Sequence, residues 1–261
     1  MTARIRRRLA TAVLALVVVV PGTAQPAQAT DDDGAADSVI TLAFTAFRAF
    51  RGGGLSAEDV ETLVREVVGA VNAVQNETIG HVDGLEAATV LGHTREISYD
   101  MEDYAVVRQE EIMLWNFGQK LGGYANNAYA KYGAVSSKKA KDQIGLAANT
   151  IYPITLVVRK DAGALNGLPR YEADYQDLNR RIVADLEPVC TSRVREGTPS
   201  FISEVHYECV AANGDTSSDY QIRNDMTGQW LRGPVDLNQL KLESAIDSAW
   251  VVAKELLEQN P

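Results

Sequence analysis

The fold of this chain is constrained most strongly by residues 56–78, which read SAEDVETLVREVVGAVNAVQNET. Several apolar residues in it recur at alternating spacings of four and three, which places them on one face of an α-helix: Val60, Val64, Val67, Val71, Val74 and Thr78. Valine has a lower helix propensity than unbranched residues, so burial of this face must compensate. The spacing predicts a core-facing helix against which other helices pack.

The start of this helix is marked by a capping box. Ser56 is followed three residues later by Asp59, and further acids lie in the first turn, where the helix dipole favours negative charge. The regular spacing ends after about two and a half heptads, short of the three or four that a coiled coil needs. We therefore predict the central strut of an intramolecular bundle.

The amino terminus has the three parts of a secretory signal peptide. Residues 1–8 contain four arginines and no acid, residues 9–20 are almost entirely apolar, and a segment of small residues ends in Ala-Gln-Ala at positions 27–29. We expect cleavage after Ala29, with the region of Ala24 as a second choice. The expected location is extracellular, as a secreted protein.

Removal of residues 1–29 leaves 21 basic and 35 acidic residues, a formal charge of −14. A surface of this charge argues against nonspecific nucleic-acid binding and against attraction to anionic lipid, since both depend on positive charge. We therefore predict no nucleic-acid partner. A membrane partner remains an alternative that the charge does not favour.

The chain has only two cysteines, Cys190 and Cys209. In an exported protein such a pair typically forms a disulfide, which contributes about 3 kcal/mol for a loop of this size. The alternative is a reactive thiol or metal-binding pair.

Composition divides the rest of the chain into four parts. Residues 30–37 form an acidic leader that we expect to be disordered, because they are small and charged. Residues 38–160 are predicted to form a helical bundle, and residues 161–169 (DAGALNGLP) are the best linker. Residues 170–261 are expected to contain a helix, a β-meander and a carboxyl-terminal helix that packs back on the bundle.

Within the predicted bundle, Ser38 is expected to cap a short buried helix, for which a strand is the competing interpretation. The glycines after residue 79, including Gly84, indicate either helix breaks or close helix contacts, and they leave helix continuity open. A helix over residues 102–121 is predicted to end at the glycine pair 122–123.

Two further helices are predicted at residues 124–132 and 136–152. Ser136 or Ser137 is the expected cap of the second, and Pro153 is expected to mark its end or a bend. The apolar residues 154–158 cannot be assigned from periodicity.

The pattern changes to a period of two after Cys190, which is typical of half-buried strands. Strands are predicted at residues 189–195, 201–211, 217–223 and 229–231, with a hairpin at Asn213-Gly214. A final helix is predicted after Asp236. The predicted fold class is α+β, mainly α: a helical bundle with a small antiparallel, disulfide-stapled β-meander near the carboxyl terminus.

One strand places Glu204, His206 and Glu208 on the same face, where they either hold a metal ion or line a wet face of the sheet. Glu77 and His81 are four residues apart on a predicted helix, but neither HExxH nor a second histidine at ligand spacing accompanies them. The chain has no Walker loop, GxGxxG or G-x-S-x-G motif. We therefore predict no cofactor, no dedicated metal site and no assigned catalytic residue.

Two carboxylate clusters and one aromatic set have competing interpretations. The carboxylates are catalytic pairs or solvated faces, and the aromatic residues form a sugar- or peptide-binding surface or part of the core. The clusters are Asp100, Glu102 and Asp103, and Asp174 and Asp177; the aromatic set is Tyr99, Tyr104, Trp115, Tyr124, Tyr129 and Tyr132.

The leading functional hypothesis is a secreted helical protein that acts through a binding or structural surface, towards an unknown protein or surface partner. Its expected mark is the absence of a deep polar pocket. One alternative is a membrane-acting, pore-forming-like protein that uses residues 118–152, and another is an extracellular hydrolase. The lack of a catalytic motif disfavours an enzyme.

Overall fold

The computed structural model of this chain describes residues 35–52, 55–78, 84–195, 201–214, 216–233 and 249. Within them the fold is a bundle of α-helices followed by a four-stranded antiparallel sheet. The predicted fold class is confirmed. The signal peptide, the first residues of the leader, His81 and most of the predicted carboxyl-terminal helix lie outside the described residues.

The elements follow one another as helices and then strands, with a short 3-10 helix, Leu165–Gly167, before the last described α-helix. The α-helices are α1 (Ala35–Arg51), α2 (Ala57–Thr78), α3 (Leu85–Glu102), α4 (Tyr104–Val107), α5 (Glu111–Ala134), α6 (Lys138–Asp161) and α7 (Leu168–Asp185). The strands are β1 (Val189–Val194), β2 (Ile202–Val210), β3 (Thr216–Asn224) and β4 (Trp230–Arg232).

The centre of the bundle is α6 rather than the predicted strut. All of its residues from 142 to 159 are buried, and it contacts α1, α2, α3, α5 and α7. Helix α6 is buried on every side although it contains polar residues such as Asp142 and Asn149, whereas α2 presents one apolar face to the core. The prediction that α2 is central is therefore wrong.

The predicted start and core face of α2 are confirmed. Ser56 N donates to Asp59 Oδ2 at 2.8 Å, and Asp59 N donates to Ser56 Oγ at 3.1 Å, which is the reciprocal capping box. Hydrogen bonds from Ser56 lower the pKa of the Asp59 carboxyl. Val67 and Val74 are fully buried, whereas Val64 is half-buried at the edge of the stripe.

Several helix boundaries differ from the prediction. Residues 35–37, predicted as part of a disordered leader, are helical in α1, and Ala35 is buried in the core. The predicted helix over residues 102–121 is divided between α4 and α5, which begins at Glu111. Helix α5 continues through the glycine pair 122–123, and α6 continues through Pro153 to Asp161. A proline inside a helix costs about 3 kcal/mol, which burial of the surrounding side chains outweighs.

The predicted linker is a tight helix–helix connection. Gly163 adopts a positive φ of 69°, Ala164 N donates to Arg159 O, and the 3-10 helix leads directly into α7. The first turn of α7 contains a proline, as is common where an N–H has no helical partner. Because Tyr175 and Ile182 of α7 lie in the same core as α6, the connection joins two helices of one bundle.

A part-buried charge cluster ties α4 to the end of α6. Arg108 binds Asp161 through two hydrogen bonds, of 2.6 Å from Nε and 3.0 Å from Nη2. Tyr104 donates its hydroxyl to the same carboxylate at 2.8 Å. The burial of Tyr104 and the negative charge beside it raise its pKa.

The sheet has the order β1-β2-β3-β4, as expected for a meander. Cys190 pairs with Cys209 in the β1–β2 register, and the two form the predicted disulfide. Gly214 in the predicted β2–β3 hairpin has a positive φ of 101°. The sheet has a small buried cluster of its own, Cys209 and Ala211 with Tyr207 against them, separate from the helical core.

Two further predictions concern the segment suspected of acting on membranes and the carboxyl-terminal helix. The segment 118–152, suspected in the membrane-acting alternative, forms much of α5 and the first part of α6. None of the described helices combines the length and the apolar character needed to cross a bilayer. Ala249 is helical and fully buried in the helical core, whereas the rest of the predicted final helix lies outside the described residues.

Replacing Val67 with aspartate is expected to unfold the bundle. The new carboxylate would be buried without a partner, at a cost of several kcal/mol, against a total stability of about 5–15 kcal/mol for a typical domain. Val106→Asp is the matched control, since Val106 is 61% exposed, and should change stability by less than about 0.5 kcal/mol. Thermal unfolding followed by circular dichroism measures both; a retained transition for V67D would show that this face is not buried.

Reduction of the Cys190–Cys209 disulfide is expected to open the sheet before the helices. The two cysteines are separated by 19 positions, and closing a loop of that size typically stabilises the folded state by about 3 kcal/mol. The buried cluster of the sheet is small, so the sheet depends on this contribution. Hydrogen exchange in reductant should show loss of protection in β1 to β3 while α6 stays protected. Simultaneous loss in α6 would mean that sheet and bundle unfold as one unit.

Candidate functional site

The candidate site is an open pocket between α5, α6 and the start of α7. Its volume is about 260 Å³, and its lining combines polar and apolar surface with two cations: Asn126, Arg159, Gly167, Arg170 and Tyr171. Asn126 comes from α5, Arg159 from the last part of α6, and the others from the end of the 3-10 helix and the first turn of α7. Three helices therefore have to pack correctly before this site exists.

Arg159 is the residue that distinguishes this pocket from an ordinary surface depression. Its side chain belongs to the buried helix α6, and the residue is only 7% exposed. Nη1 donates to the carbonyl of Gly118 at 3.1 Å, and the guanidinium lies 4.8 Å from the ring centre of Tyr171. The guanidinium thus donates to a backbone carbonyl and contacts an aromatic face, and both contacts restrict its position.

The charge of Arg159 is not neutralised by the described part of the chain. Its Nε is buried without a hydrogen-bond partner, and no described carboxylate forms an ion pair with its guanidinium. An uncompensated buried charge is costly, so such groups normally pair with an acid. The site thus has a positive charge whose counter-charge is not among the described residues.

Three glycines make room for the Arg159 and Tyr171 side chains. A Cβ on Gly122 would lie 2.4 Å from Tyr171 Oη and 3.1 Å from Arg159 Nη1, and one on Gly167 would lie 3.3 Å from Arg159 Nη2. Gly118, one turn before Gly122, also faces Arg159. Gly118 and Gly122 therefore lie where α5 packs against Arg159 and Tyr171, and neither breaks the helix.

The second cation, Arg170, lies at the mouth of the pocket. Its side chain is 86% exposed, and its Nε is 3.8 Å from Asp174 one turn later, a separation typical of a weak surface ion pair. Asn126 is also exposed. The pocket thus has a buried cation at its base and a movable cation at its opening.

Buried polar groups continue inward along α6 and α7. Tyr152 and Tyr175 are fully buried, and their rings stack with centres 4.9 Å apart. The Tyr152 hydroxyl has no hydrogen-bond partner among the described residues, whereas the Tyr175 hydroxyl interacts with the side chain of Asn179. Burial raises the pKa of both tyrosines, so they remain neutral hydrogen-bond donors.

Of the three residues considered as metal ligands on β2, Glu204 and His206 contact each other, whereas Glu208 contacts a different residue. His206 Nε2 is 2.6 Å from Glu204 Oε1, and Arg195 Nη1 is 3.3 Å from the same oxygen, whereas Glu208 pairs with Arg193 at 3.0 Å. The hydrogen bond with His206 lowers the pKa of the Glu204 carboxyl. The described residues contain no group of three acids, histidines or cysteines placed to hold a metal ion.

The carboxylate clusters lie outside the pocket lining, and several of their members have cationic partners. Asp100 binds Lys120 at 2.7 Å, and Asp177 accepts a hydrogen bond from Tyr129 at 2.6 Å beside Arg181. Glu102 and Asp103 are exposed.

The aromatic set does not form one surface. Tyr104 and Tyr132 are fully buried, whereas Tyr99 and Trp115 are exposed. The ring of Tyr124 stacks on His93 with a centre separation of 4.1 Å, and burial lowers the pKa of that histidine. His81 lies outside the described residues, as does the Glu77 side chain, so that pair remains a prediction.

Sequence reasoning missed every residue of this pocket. The sequence predicts Tyr171 only as an apolar position of a helix. Arg159 directly follows the apolar residues 154–158, and an arginine at such a place commonly extends to solvent. The available signal was the spacing of Gly118 and Gly122, one turn apart on α5. Comparison with family models, with curated proteins and with solved structures gives no match.

Alanine at Gly122 is expected to disturb the pocket, whereas alanine at Gly123 is not. Both changes gain about 1 kcal/mol of helix propensity, but only the Gly122 Cβ meets other atoms within 4 Å. G122A should therefore be about 1–3 kcal/mol less stable than G123A, the usual range for overpacking. Chemical denaturation of the two variants measures this difference; equal stabilities would contradict the packing of Tyr171 against α5.

Proposed function

We propose that this chain is a secreted helical binding protein and that its ligand occupies the pocket between α5, α6 and α7. The observation that carries the proposal is Arg159, a buried cation that faces the pocket without a described carboxylate partner. Proteins keep such a group where a ligand completes its interactions. This proposal keeps the binding role of the leading hypothesis but departs from its expected mark, the absence of a deep polar pocket, because it places the ligand in a concave site.

The lining residues favour recognition over catalysis. They offer hydrogen-bond donors from two guanidinium groups, an amide and a phenol. They include no carboxylate, histidine, serine or cysteine, which are the usual bases and nucleophiles of hydrolases. This chemistry supports a protein that holds a molecule without transforming it.

Secretion is supported by two observations. The amino-terminal residues have the charge and apolar pattern of a signal peptide, and the two cysteines form a disulfide. A binding protein outside the cell fits this combination. Its acidic surface favours solubility.

The proposal is tested with a panel of small polar molecules that includes anions, neutral compounds and cations. Ligand-observed NMR should detect binding of at least one class to the unmodified protein. Asn126→Phe should abolish that binding, because the ring would occupy the pocket from an exposed position on α5. Asn116→Phe is the matched control, since it is the same change at another exposed position of the same helix.

Binding that survives in N116F and is lost in N126F supports the proposed function. Failure of every class to bind would contradict it. Equal binding by the two variants would place the ligand elsewhere on the protein and would also contradict it.

A further inference from the structure

We infer that the ligand carries a small oxyanion, a carboxylate or a phosphate group, which Arg159 and Arg170 hold together. This inference rests on the proposed binding function and adds the chemical class of the ligand. It follows from the charge, the free donors and the size of the pocket.

The guanidinium of Arg159 lines the pocket and is held in place by its neighbours. One face is covered by the Tyr171 ring, and Nη1 donates to the Gly118 carbonyl. Nη2 packs closely against Gly167, where an added Cβ would approach it to 3.3 Å. Arginine has five N–H donors in a planar fork that matches carboxylate and phosphate oxygens.

A neutral ligand would leave the positive charge of Arg159 without a counter-charge. A guanidinium carries a full positive charge, and burying it without an acid nearby is costly. An oxyanion supplies both the missing charge and hydrogen-bond acceptors. Charge-assisted hydrogen bonds of this kind are about twice as strong as neutral ones.

Arg170 provides the second contact at the opening of the pocket. It is exposed and only weakly paired with Asp174, so its side chain is free to turn towards a bound anion. The first turn of α7, which carries Arg170 and Tyr171, also has the positive end of the helix dipole. Both effects favour negative charge at the same place.

The size of the pocket indicates an organic anion rather than a bare ion. Its volume of about 260 Å³ is several times the roughly 30 Å³ that one water molecule takes up in the liquid. Asn126 and the Tyr171 hydroxyl offer neutral hydrogen-bonding groups to the remainder of such a molecule.

The test is a titration of the isotopically labelled, full exported protein with acetate, inorganic phosphate and acetamide, followed by NMR. Acetate and acetamide have nearly the same shape and differ in charge, and phosphate separates the two oxyanion types. At least one oxyanion should shift the Arg159 Nε–H resonance, and acetamide should not. Arg170→Gln should weaken oxyanion binding roughly tenfold, as expected for loss of one charge-assisted contact.

Arg180→Gln is the matched control, because it removes the same charge from an exposed position of the same helix outside the pocket lining. It should change binding by less than about twofold, since exposed charges that do not touch the ligand are largely screened by salt. Equal weakening by R170Q and R180Q would overturn the inference, because it would indicate a general charge effect.

Three further outcomes separate this inference from the proposed function. Binding of acetamide as tight as that of acetate overturns the inference alone. The inference alone is also overturned if a neutral compound of the panel binds to the unmodified protein but not to N126F, and neither acetate nor phosphate binds. If no compound of any class binds, the proposed function itself fails, and the inference fails with it.

Discussion

The burial of α6 on every side is the constraint on which the rest of the bundle depends. Because residues 142 to 159 are all buried, the described neighbours α1, α2, α3, α5 and α7 each have to present a complementary face. The constraint also explains the glycines of α5, since Gly122 lies where a larger residue would collide with Tyr171. The pocket is a consequence of this packing, because its buried cation is part of the same helix.

The end of α6 places three consecutive charged residues in three different environments. Lys160 donates to the carbonyls of Phe50 and Gly52 and so caps the end of α1. Asp161 binds Arg108 and Tyr104 and fixes α4. Arg159 faces the pocket, and no described carboxylate neutralises it. Two of the three charges are thus satisfied by identified contacts within the bundle, and the third supports a ligand.

Features set by short-range rules were predicted correctly, and those set by packing were not. Two helix caps, at Ser56 and Ser137, depend on residues three positions apart. The disulfide follows from the presence of only two cysteines in the chain. Of the two alternatives for Pro153, a helix end or a bend, the end was wrong, because the local cost of a proline is smaller than the gain from burying a whole helix. The predicted break at residues 122–123 was wrong because those glycines lie inside α5, where Gly122 serves contact between helices.

The start and buried face of α2, the alternation that forms the sheet and the partners of the disulfide can all be read from the sequence. Each depends on residues a few positions apart or on there being two cysteines. The central position of α6 and the location of Arg159 at a pocket become visible only in the folded chain. That environment is built from Gly118, Gly167 and Tyr171, which come from different elements, and no local pattern specifies which of them will meet.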